Sequence, residues 1–288
     1  MFNPTKFLFL YEMSGSDKFI DIEKLFKDKN PSLLKWIPSF VIRYLKNTIH
    51  QEEVNDFMRR HKHDDSFTFA RNVVDEFKIK VNVSGLENVP KEGGCIFASN
   101  HPLGGLDALI AISVLYEVRH DLKFIVNDLL MYITNLQELF EGINKHGRNN
   151  SNALQQVDQL FRSEKAIFIF PAGLVSRKIN GEIKDLEWKK TFITRSRKYN
   201  KKVIPVYIDG RNSDFFYNLA NIRKMVGLKA NIEMLYLSDE MFKQNGSSIG
   251  ITFGKPIEPA FFDNSKKDDE WAEFVKQTCY NLKRQAGK

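Results

Sequence analysis

The spacing of apolar residues along the chain changes near residue 78. Before that point apolar positions recur every three or four residues, which predicts helices. These helical patterns cover residues 17–29, 31–51 and 67–77. Pro31 suits a first helical turn, whereas Pro38 is expected to kink or break the second helix. The pattern predicts a helical amino-terminal segment, residues 1–77, ahead of a second domain at residues 78–288.

Beyond this point, short apolar runs alternate with longer helical patterns. Strands are predicted at residues 77–83, 94–98, 122–126, 166–170, 202–208, 231–237 and 249–253. Helices are predicted at residues 106–118, 128–141, 152–163, 187–199 and 268–284. Because strands and helices alternate, we expect an α/β fold with a mixed, largely parallel sheet flanked by helices. Pro205 lies inside one predicted strand and indicates an edge strand or a bulge.

The composition fits a folded domain that does not cross a membrane. The 288 residues are 42% hydrophobic, which is ordinary for a protein with a buried core. The longest apolar run, residues 106–118, is interrupted by Asp107, Ser113 and Glu117 and is too short to span a bilayer. The apolar run at residues 7–10 is shorter than the core of a secretory signal. We therefore expect a cytoplasmic protein.

An excess of positive charge points to an anionic partner. The net charge is +7, and 24 residues are phenylalanine. Basic residues beside bulky aromatic ones suit an anionic membrane surface at least as well as a nucleic acid. Residues 33–46 mix both types and are the candidate for membrane contact. The alternative is a helix that packs on its own domain, as most amphipathic helices do.

A loop with a histidine follows the predicted strand at residues 94–98. His101 precedes Gly104 and Gly105, and Asp107 begins the next predicted helix. Sites in open α/β sheets lie at the carboxyl ends of strands. If Asp107 accepts a hydrogen bond from one ring nitrogen of His101, the other nitrogen can act as a base. In the alternative interpretation Asp107 only caps its helix and His101 is an ordinary loop residue.

A second loop, residues 170–178, follows another predicted strand. It reads Phe-Pro-Ala-Gly-Leu-Val-Ser-Arg-Lys. Gly173 permits close backbone approach, and Arg177 offers a forked guanidinium, so this loop can hold an anion. The alternative is a solvated loop with incidental cations.

Three motifs, taken in order, resemble the glycerolipid acyltransferase family, which includes 1-acylglycerol-3-phosphate O-acyltransferase. They are Asn-His followed by Asp107, Phe-Pro-x-Gly-x-x-Ser-Arg at residues 170–177, and Ile-Pro-Val at residues 204–206. The resemblance covers about residues 78–260. It implies an enzyme of membrane lipid synthesis that moves a fatty acyl group from a thioester to the hydroxyl of a lyso-lipid. The donor would be acyl carrier protein or coenzyme A, with no metal and no other cofactor.

The resemblance also implies roles for individual residues. His101 would be the catalytic base, and Asp107 would orient it. The candidate substrate-binding residues are Asn100, Gly104, Gly105, Lys145, Arg148, Phe170, Pro171, Gly173, Ser176 and Arg177. Backbone N–H groups near Gly173, or in the Gly104–Gly105 loop, are expected to stabilise the oxyanion. Trp188, Lys189 and Lys190 are further candidates to flank the acceptor head group, the alternative being a basic helix face in water.

Two departures from the usual family pattern indicate a less common acceptor. Five residues separate His101 from Asp107 where four are usual, and Ala172 stands where the family usually has Glu. Both departures resemble the subgroup of hemolysin-like proteins and aminoacyl-lipid acyltransferases, whose members are similar to enzymes for ornithine or glycine lipids. We therefore expect a lyso-aminolipid acceptor whose carboxylate pairs with Arg177.

Two rival functions remain at this point. One is an N-acyltransferase that forms an acyl-amino acid, and the other is a non-catalytic lipid-binding protein with the same fold. For the lyso-lipid acyltransferase, we expect a peripheral protein on the inner face of the cell membrane and no nucleic-acid partner. The Gly-x-Ser-x-Gly sequence at residues 246–250 precedes a predicted strand rather than a helix, so it does not predict a hydrolase nucleophile. The histidines and aspartates of residues 61–65 fit a solvated loop better than a metal site.

Overall fold

The computed structural model describes residues 18–29, 37–127, 133–143 and 150–283. Two units can be distinguished, which we call the helical unit and the sheet unit. The helical unit contains described residues up to Asp64 together with Asn212–Gln244, and the sheet unit contains Asp65–Arg211 and the described residues from Asn245 onward. This division differs from the boundary predicted at residues 77–78, because residues 66–76 belong to the sheet unit and residues 212–244 belong to the helical unit.

The secondary structure follows the alternation of patterns in the sequence. The helices are α1 Ile22–Lys29, α2 Ser39–Thr48, α3 Gln51–Arg60, α4 Ser66–Glu76, α5 Gly105–Leu115, α6 Asn150–Arg162, α7 Thr191–Tyr199, α8 Asp214–Met225, α9 Leu237–Phe242 and α10 Asp268–Leu282. The strands are β1 Lys80–Ser84, β2 Cys95–Ser99, β3 Leu122–Asn127, β4 Phe140–Ile143, β5 Ala166–Ile169, β6 Arg177–Ile179, β7 Glu182–Lys184, β8 Lys202–Asp209 and β9 Ser248–Phe253. Within the described residues, no helix is long and apolar enough to cross a membrane.

Seven strands form one mixed sheet in the order β1-β9-β8-β2-β5-β3-β4. The neighbours from β8 to β4 all run parallel, β8 and β9 are antiparallel, and β1 runs parallel to β9. This arrangement confirms the predicted α/β class with a largely parallel sheet. The central strand β2 is buried along its whole length, with Phe97 opposite Ile204 on one side and Phe168 on the other.

Helices cover both faces of this sheet. On one face, side chains from β2, β5 and β8 form a buried cluster with Trp188, Phe192 and the α10 residues Trp271 and Val275. Side chains alternate along a strand, so Phe97, Phe124 and Phe168 point to the other face, where their rings stack. Helix α5 packs against β3 and α4. It is buried on nearly every side and therefore apolar all round.

The helical unit has its own small core. Ile22 and Phe26 of α1 pack against Ile42 of α2. The Asn55 side chain binds both the N–H and the carbonyl of Ile20, which ties α3 to the start of α1. The predicted amino-terminal helices are therefore present in the described part, with a break before Ser39 where Pro38 stands.

Two predicted elements are wrong. Residues 128–141 were expected to form one helix, but the described part contains a 3-10 turn, Thr134–Leu136, followed by β4. The apolar residues there have helical spacing, yet β4 pairs with β3, and the Phe140 ring lies against Phe124. Residues 231–237 were expected to form a strand but form the 3-10 turn Ile232–Tyr236. This turn leads directly into α9, so its backbone groups form hydrogen bonds with nearby residues of the chain rather than with another strand.

Five further elements of the described chain were not predicted, namely helices α3, α8 and α9 and strands β6 and β7. Helix α3 is highly polar, and the short strands β6 and β7 form a separate hairpin. Helix α8 had a recognisable start signal, because Ser213 accepts a hydrogen bond from the Phe216 N–H as an N-cap.

Pro205 lies in an inner strand, so the edge position predicted from it is wrong and the bulge is correct. The antiparallel pairing of Val206 with Phe253 is followed by an isolated bridge from Val203 to Ile257. Between these two pairs, β8 has two residues and the segment that follows β9 has three. The extra residue makes this a β-bulge. The missing proline N–H falls at this interruption.

Candidate active site

Two loops meet at the carboxyl ends of neighbouring parallel strands. The first follows β2 and carries His101, and the second follows β5 and begins at Phe170. The His101 carbonyl accepts a hydrogen bond of 2.8 Å from the Ser176 N–H, which joins the loops directly. The Phe170 ring also stacks on the His101 imidazole, with ring centroids 4.0 Å apart. The structure therefore brings together the two loops that the sequence singled out.

His101 and Asp107 form a hydrogen-bonded pair. Nδ1 of His101 lies 2.9 Å from Oδ2 of Asp107. The Asp107 side chain is fully buried, whereas that of His101 is 16% exposed. Since Asp107 occupies Nδ1, Nε2 is the nitrogen available to accept a proton from a bound hydroxyl.

The same Asp107 oxygen also caps helix α5. Oδ2 accepts hydrogen bonds from the N–H groups of Leu103 and Gly104, at 2.9 and 3.1 Å. Gly104 has φ 79 and ψ −133, a conformation that favours glycine, and this turns the loop back toward the helix start. Helix capping and orientation of His101 were alternative interpretations of the sequence, and in the structure one carboxylate oxygen does both.

Burial dominates the electrostatics of Asp107. Loss of water raises the pKa of this carboxyl, while hydrogen bonding and charge interaction with His101 and the Leu103 N–H oppose the shift. Its second oxygen, Oδ1, has no hydrogen-bond partner among the described residues. A buried carboxylate that depends on few donors is well suited to stabilising a protonated imidazole beside it.

The loop after β5 is a tight turn. The Gly173 N–H donates to the Phe170 carbonyl at 2.9 Å, and Gly173 has φ 66, which favours glycine. Ala172 is buried in the main core cluster. The glutamate that the family usually has at this position would have to bury its carboxylate here.

Ser176 and Arg177 point into the protein rather than toward an open anion site. The Ser176 hydroxyl donates to Asp185 at 2.6 Å. The Arg177 side chain is buried and donates from one guanidinium nitrogen to the carbonyls of Val175 and Ser176. Their predicted contacts with the acceptor remain predictions, and in this structure both side chains stabilise the loop.

Asp185 connects the parts of this site, and the sequence did not single it out. Its carboxylate is buried and accepts hydrogen bonds from the Ser176 hydroxyl, the His101 N–H and the Trp188 indole. Its own N–H donates to the Tyr280 hydroxyl on α10. In the sequence a lysine precedes Asp185, and a leucine and a glutamate follow it. This mostly polar stretch gives no indication that Asp185 is buried.

Asn100 ties the end of β2 to β8. Its side-chain amide donates to the Ile208 carbonyl, and its side-chain oxygen accepts from the Ile208 N–H. Both polar atoms are thus engaged by backbone, and the side chain is buried. Its predicted substrate contact stays a prediction, while a role in holding the His101 loop is visible.

A family model described as "Acyltransferase" matches residues 24–287 of the chain. The chain belongs to this acyltransferase family. Two relatives are each named "lyso-glycine lipid O-acyltransferase". The one from Bacteroides thetaiotaomicron is 46% identical over 91% of this chain and 97% of its own length. The one from Phocaeicola vulgatus is 46% identical over 91% of this chain and 95% of its own length. A solved structure of the 1-acyl-sn-glycerophosphate acyltransferase PlsC from Thermotoga maritima shows 17% identity, a TM-score of 0.46, and coverage of 83% of this chain and 95% of that one.

The family model and the two relatives confirm the predicted enzyme class and the resemblance to acyltransferases near the aminolipid subgroup. In this acyltransferase, the predicted residues Lys145 and Arg148 lie outside the described part of the chain. Trp188 is buried, so it does not flank a head group directly, whereas Lys189 and Lys190 are exposed. The Lys189 N–H donates to the Pro171 carbonyl, which fixes its backbone to the turn after β5.

The Gly-x-Ser-x-Gly sequence and the histidines and aspartates of residues 61–65 have structural roles in this acyltransferase. Ser248, within the Gly-x-Ser-x-Gly sequence, begins strand β9. His61 binds Asp64 at 2.7 Å just after α3. Among the described residues, no group of three or more His, Cys, Asp or Glu side chains is placed to hold a metal ion.

Proposed function

We propose that this acyltransferase moves a fatty acyl group from a thioester to the hydroxyl of a lyso-glycine lipid. Its 46% identity to two relatives of that name, over 97% and 95% of their lengths, carries the proposal. His101, hydrogen-bonded to the buried Asp107, supplies the base that such a reaction needs. The name of those relatives also favours O-acylation over the rival N-acylation.

The proposed reaction begins when Nε2 of His101 takes the proton of the acceptor hydroxyl. The hydroxyl oxygen then forms a bond to the thioester carbonyl carbon, and the carbonyl oxygen becomes an oxyanion. When this intermediate collapses, the carbon–sulfur bond breaks and the protonated His101 returns its proton to the departing thiolate. Asp107 stabilises the imidazolium throughout, and the products are an ester and a free thiol.

The oxyanion needs a donor, and two of the predicted donors are already occupied. The Gly104 N–H donates to Asp107, and the Gly173 N–H donates to Phe170. Gly105 begins helix α5, where the first backbone N–H groups have no partner within the helix. We therefore assign the oxyanion contact to the Gly105 N–H, with the helix dipole acting in the same direction.

The carboxylate of the acceptor is best matched by Lys189 rather than Arg177. A Cβ added to Gly173 would lie 3.5 Å from the Lys189 Nζ, so this ammonium stands beside the turn that follows the His101-stacking Phe170. Lys189 is exposed, and no described carboxylate lies within ion-pair distance of it. Arg177 instead directs hydrogen bonds to backbone carbonyls.

The donor and the location belong to the same proposal. We take the donor to be acyl carrier protein or coenzyme A carrying the acyl group, and the place of work to be the inner face of the cell membrane. The lipid acceptor and the net charge of +7 support an anionic membrane surface.

Acyl transfer by the purified chain tests the proposal. We expect acyl-dependent diacylation of a lyso-glycine lipid and release of thiol, with His101→Ala retaining the fold but losing activity by about 10³-fold or more. Free glycine and 1-acylglycerol-3-phosphate serve as competing acceptors. Preferred acylation of free glycine would favour the N-acyltransferase. Equal activity of His101→Ala and wild type would sink the proposed chemistry.

A further inference from the structure

The outward side of helix α8 is unusually apolar. Phe216, Tyr217 and Ala220 are buried on its inner side. Phe215, Ile222 and Val226 follow at spacings of seven and four, which places them on the opposite side. Ile222 is 53% exposed and Val226 is 67% exposed. A solvent-facing helix side normally carries polar residues, so this one calls for a partner.

The apolar surface continues past the end of α8. Met225 is 80% exposed, the highest value among the large hydrophobic residues that the structure describes, and Leu228 is 42% exposed. Gly227, with φ 71, turns the chain between them. Residues 222–228 therefore form a concentrated set of exposed aliphatic side chains.

Helix α2 of the same unit adds aromatic residues. Phe40 is 71% exposed and Tyr44 is 52% exposed, while Ile42 between them is buried. The Tyr44 hydroxyl lies 2.7 Å from the Tyr236 hydroxyl. The Tyr236 ring in turn contacts Phe215 at 5.0 Å between centroids. These contacts join the outer sides of α2 and α8 into one surface.

Most charges around this surface are positive. Residues 215–232 contain Arg223, Lys224 and Lys229 and no carboxylate, and the exposed Asp214 directly precedes them. Arg223 pairs with Glu233 at 2.8 Å. Lys229, like Arg43 on α2, is exposed and has no ion pair among the described residues. Lys224 is also exposed, but it lies two residues from both Ile222 and Val226 and therefore on the other side of α8. Apolar side chains bordered by unpaired cations are the pattern of a surface that rests on anionic lipid.

We propose that this surface, which we call the apolar–basic face, docks the helical unit on an anionic bilayer. Its members are Phe40, Arg43, Tyr44, Phe215, Ile222, Met225, Val226, Leu228 and Lys229. The inference rests on the proposed function, since a lipid acceptor held in a bilayer requires the enzyme to meet that bilayer. Met225, Val226 and Leu228 enter the interface. Arg43 and Lys229 pair with lipid head groups, and each pairing raises the affinity about fivefold.

The face only partly coincides with the membrane segment predicted from the sequence. Residues 33–36 of that segment lie outside the described part. In residues 37–46, Ile42 packs inward, as the alternative interpretation held, while Phe40, Arg43 and Tyr44 face outward. The larger contribution comes from residues 222–229, which the sequence did not single out.

Vesicle co-sedimentation of the full chain tests the proposal with a matched pair of variants. Val226→Asp changes the face, and Val83→Asp changes an exposed valine of the sheet unit. With phosphatidylglycerol–phosphatidylcholine vesicles at low salt, we expect wild type and Val83→Asp to bind alike and Val226→Asp to bind at least tenfold more weakly. Unchanged binding by Val226→Asp overturns the proposal. Wild-type binding that is equal on pure phosphatidylcholine and insensitive to salt also overturns it.

A second variant covers the case in which Val226→Asp fails to fold. Arg43→Glu/Lys229→Glu alters only exposed charges and is expected to weaken binding to anionic vesicles by more than tenfold. Acylation of detergent-dispersed lyso-glycine lipid should stay at wild-type levels in both face variants, which separates docking from the proposed function. If the wild type is a dimer that either variant dissociates, or binds acyl carrier protein through these residues and not vesicles, the membrane proposal is wrong.

Discussion

Oδ2 of Asp107 lies 2.9 Å from Nδ1 of His101 and accepts two backbone hydrogen bonds from the intervening loop. One oxygen thus fixes both the ring of the base and the start of helix α5. Five residues separate His101 from Asp107, and the turn at Gly104, whose φ is 79, lies within this loop. The loop is therefore compatible with a direct contact between the two side chains.

Asp107→Asn should lose activity without losing the fold. The asparagine oxygen can keep the bonds from Leu103 and Gly104, but a neutral amide does not stabilise the imidazolium. We expect kcat to fall by about 10²–10⁴-fold, with the melting temperature within a few degrees of wild type. Steady-state kinetics and thermal unfolding check this, and a kcat within threefold of wild type would contradict the role given to Asp107.

The same variant predicts a pH dependence of stability. Burial raises the folded-state pKa of Asp107 above its ordinary value of 3.8. Stability from this group is therefore fully present below that ordinary value and is lost as pH rises through the raised pKa. Relative to wild type, Asp107→Asn should be more stable at pH 7.5 than at pH 4.5. Urea unfolding at both pH values measures the difference, and a difference that does not change, or reverses, contradicts the shift.

Ser176 and Asp185 should act as one positioning unit. The Ser176 hydroxyl bonds the Asp185 carboxylate, which also holds the His101 N–H. We expect Ser176→Ala and Asp185→Asn each to lower kcat by about tenfold, with the double variant no worse than the more severe single one. If Ser176 instead contacts the acceptor, Ser176→Ala will raise the acceptor KM and its effect will add to that of Asp185→Asn.

Asn100→Ala should destabilise the protein. The variant leaves the buried N–H and carbonyl of Ile208 without their side-chain partners. At about 1–3 kcal/mol for each of the two unsatisfied groups, we expect a loss of about 2–6 kcal/mol in the free energy of unfolding. Denaturant titration measures it. Wild-type stability combined with a raised acceptor KM would show instead that Asn100 binds substrate.

Lys189→Ala should weaken recognition of the acceptor carboxylate, with Lys190→Ala as the matched control. Both lysines are exposed neighbours, but only Lys189 stands beside Gly173. We expect a KM for lyso-glycine lipid raised by about tenfold in Lys189→Ala and unchanged in Lys190→Ala. The methyl ester of the acceptor should be a poor substrate of wild type and of Lys190→Ala. Lys189→Ala should use the ester about as well as it uses the carboxylate. A Lys189→Ala enzyme that discriminates against the ester as strongly as wild type contradicts the assignment.

Local patterns in the sequence were sufficient for the alternating strands and helices, the largely parallel sheet and the enzyme family. Period-two and helical spacing reflect which side of an element is buried, and the order of the Asn-His, Phe-Pro-x-Gly and Ile-Pro-Val motifs is itself a linear property. The spacing of apolar residues was ambiguous in residues 128–141 and 231–237. In the described part of the first segment a strand pairs with β3, and the second segment forms a local 3-10 turn.

Contacts between residues far apart in the chain depended on the folded structure. The sequence does not distinguish Asp107 as a helix cap from Asp107 as a partner of His101. In the structure, one oxygen of Asp107 does both. Asp185 gains its position from a loop that returns to His101 across 84 residues. The sequence of α8 does not reveal its exposed apolar side, because hydrophobic residues occur on both the inner and the outer side of the helix. Only burial distinguishes the two sides, and burial is a property of the packed chain rather than of the order of its residues.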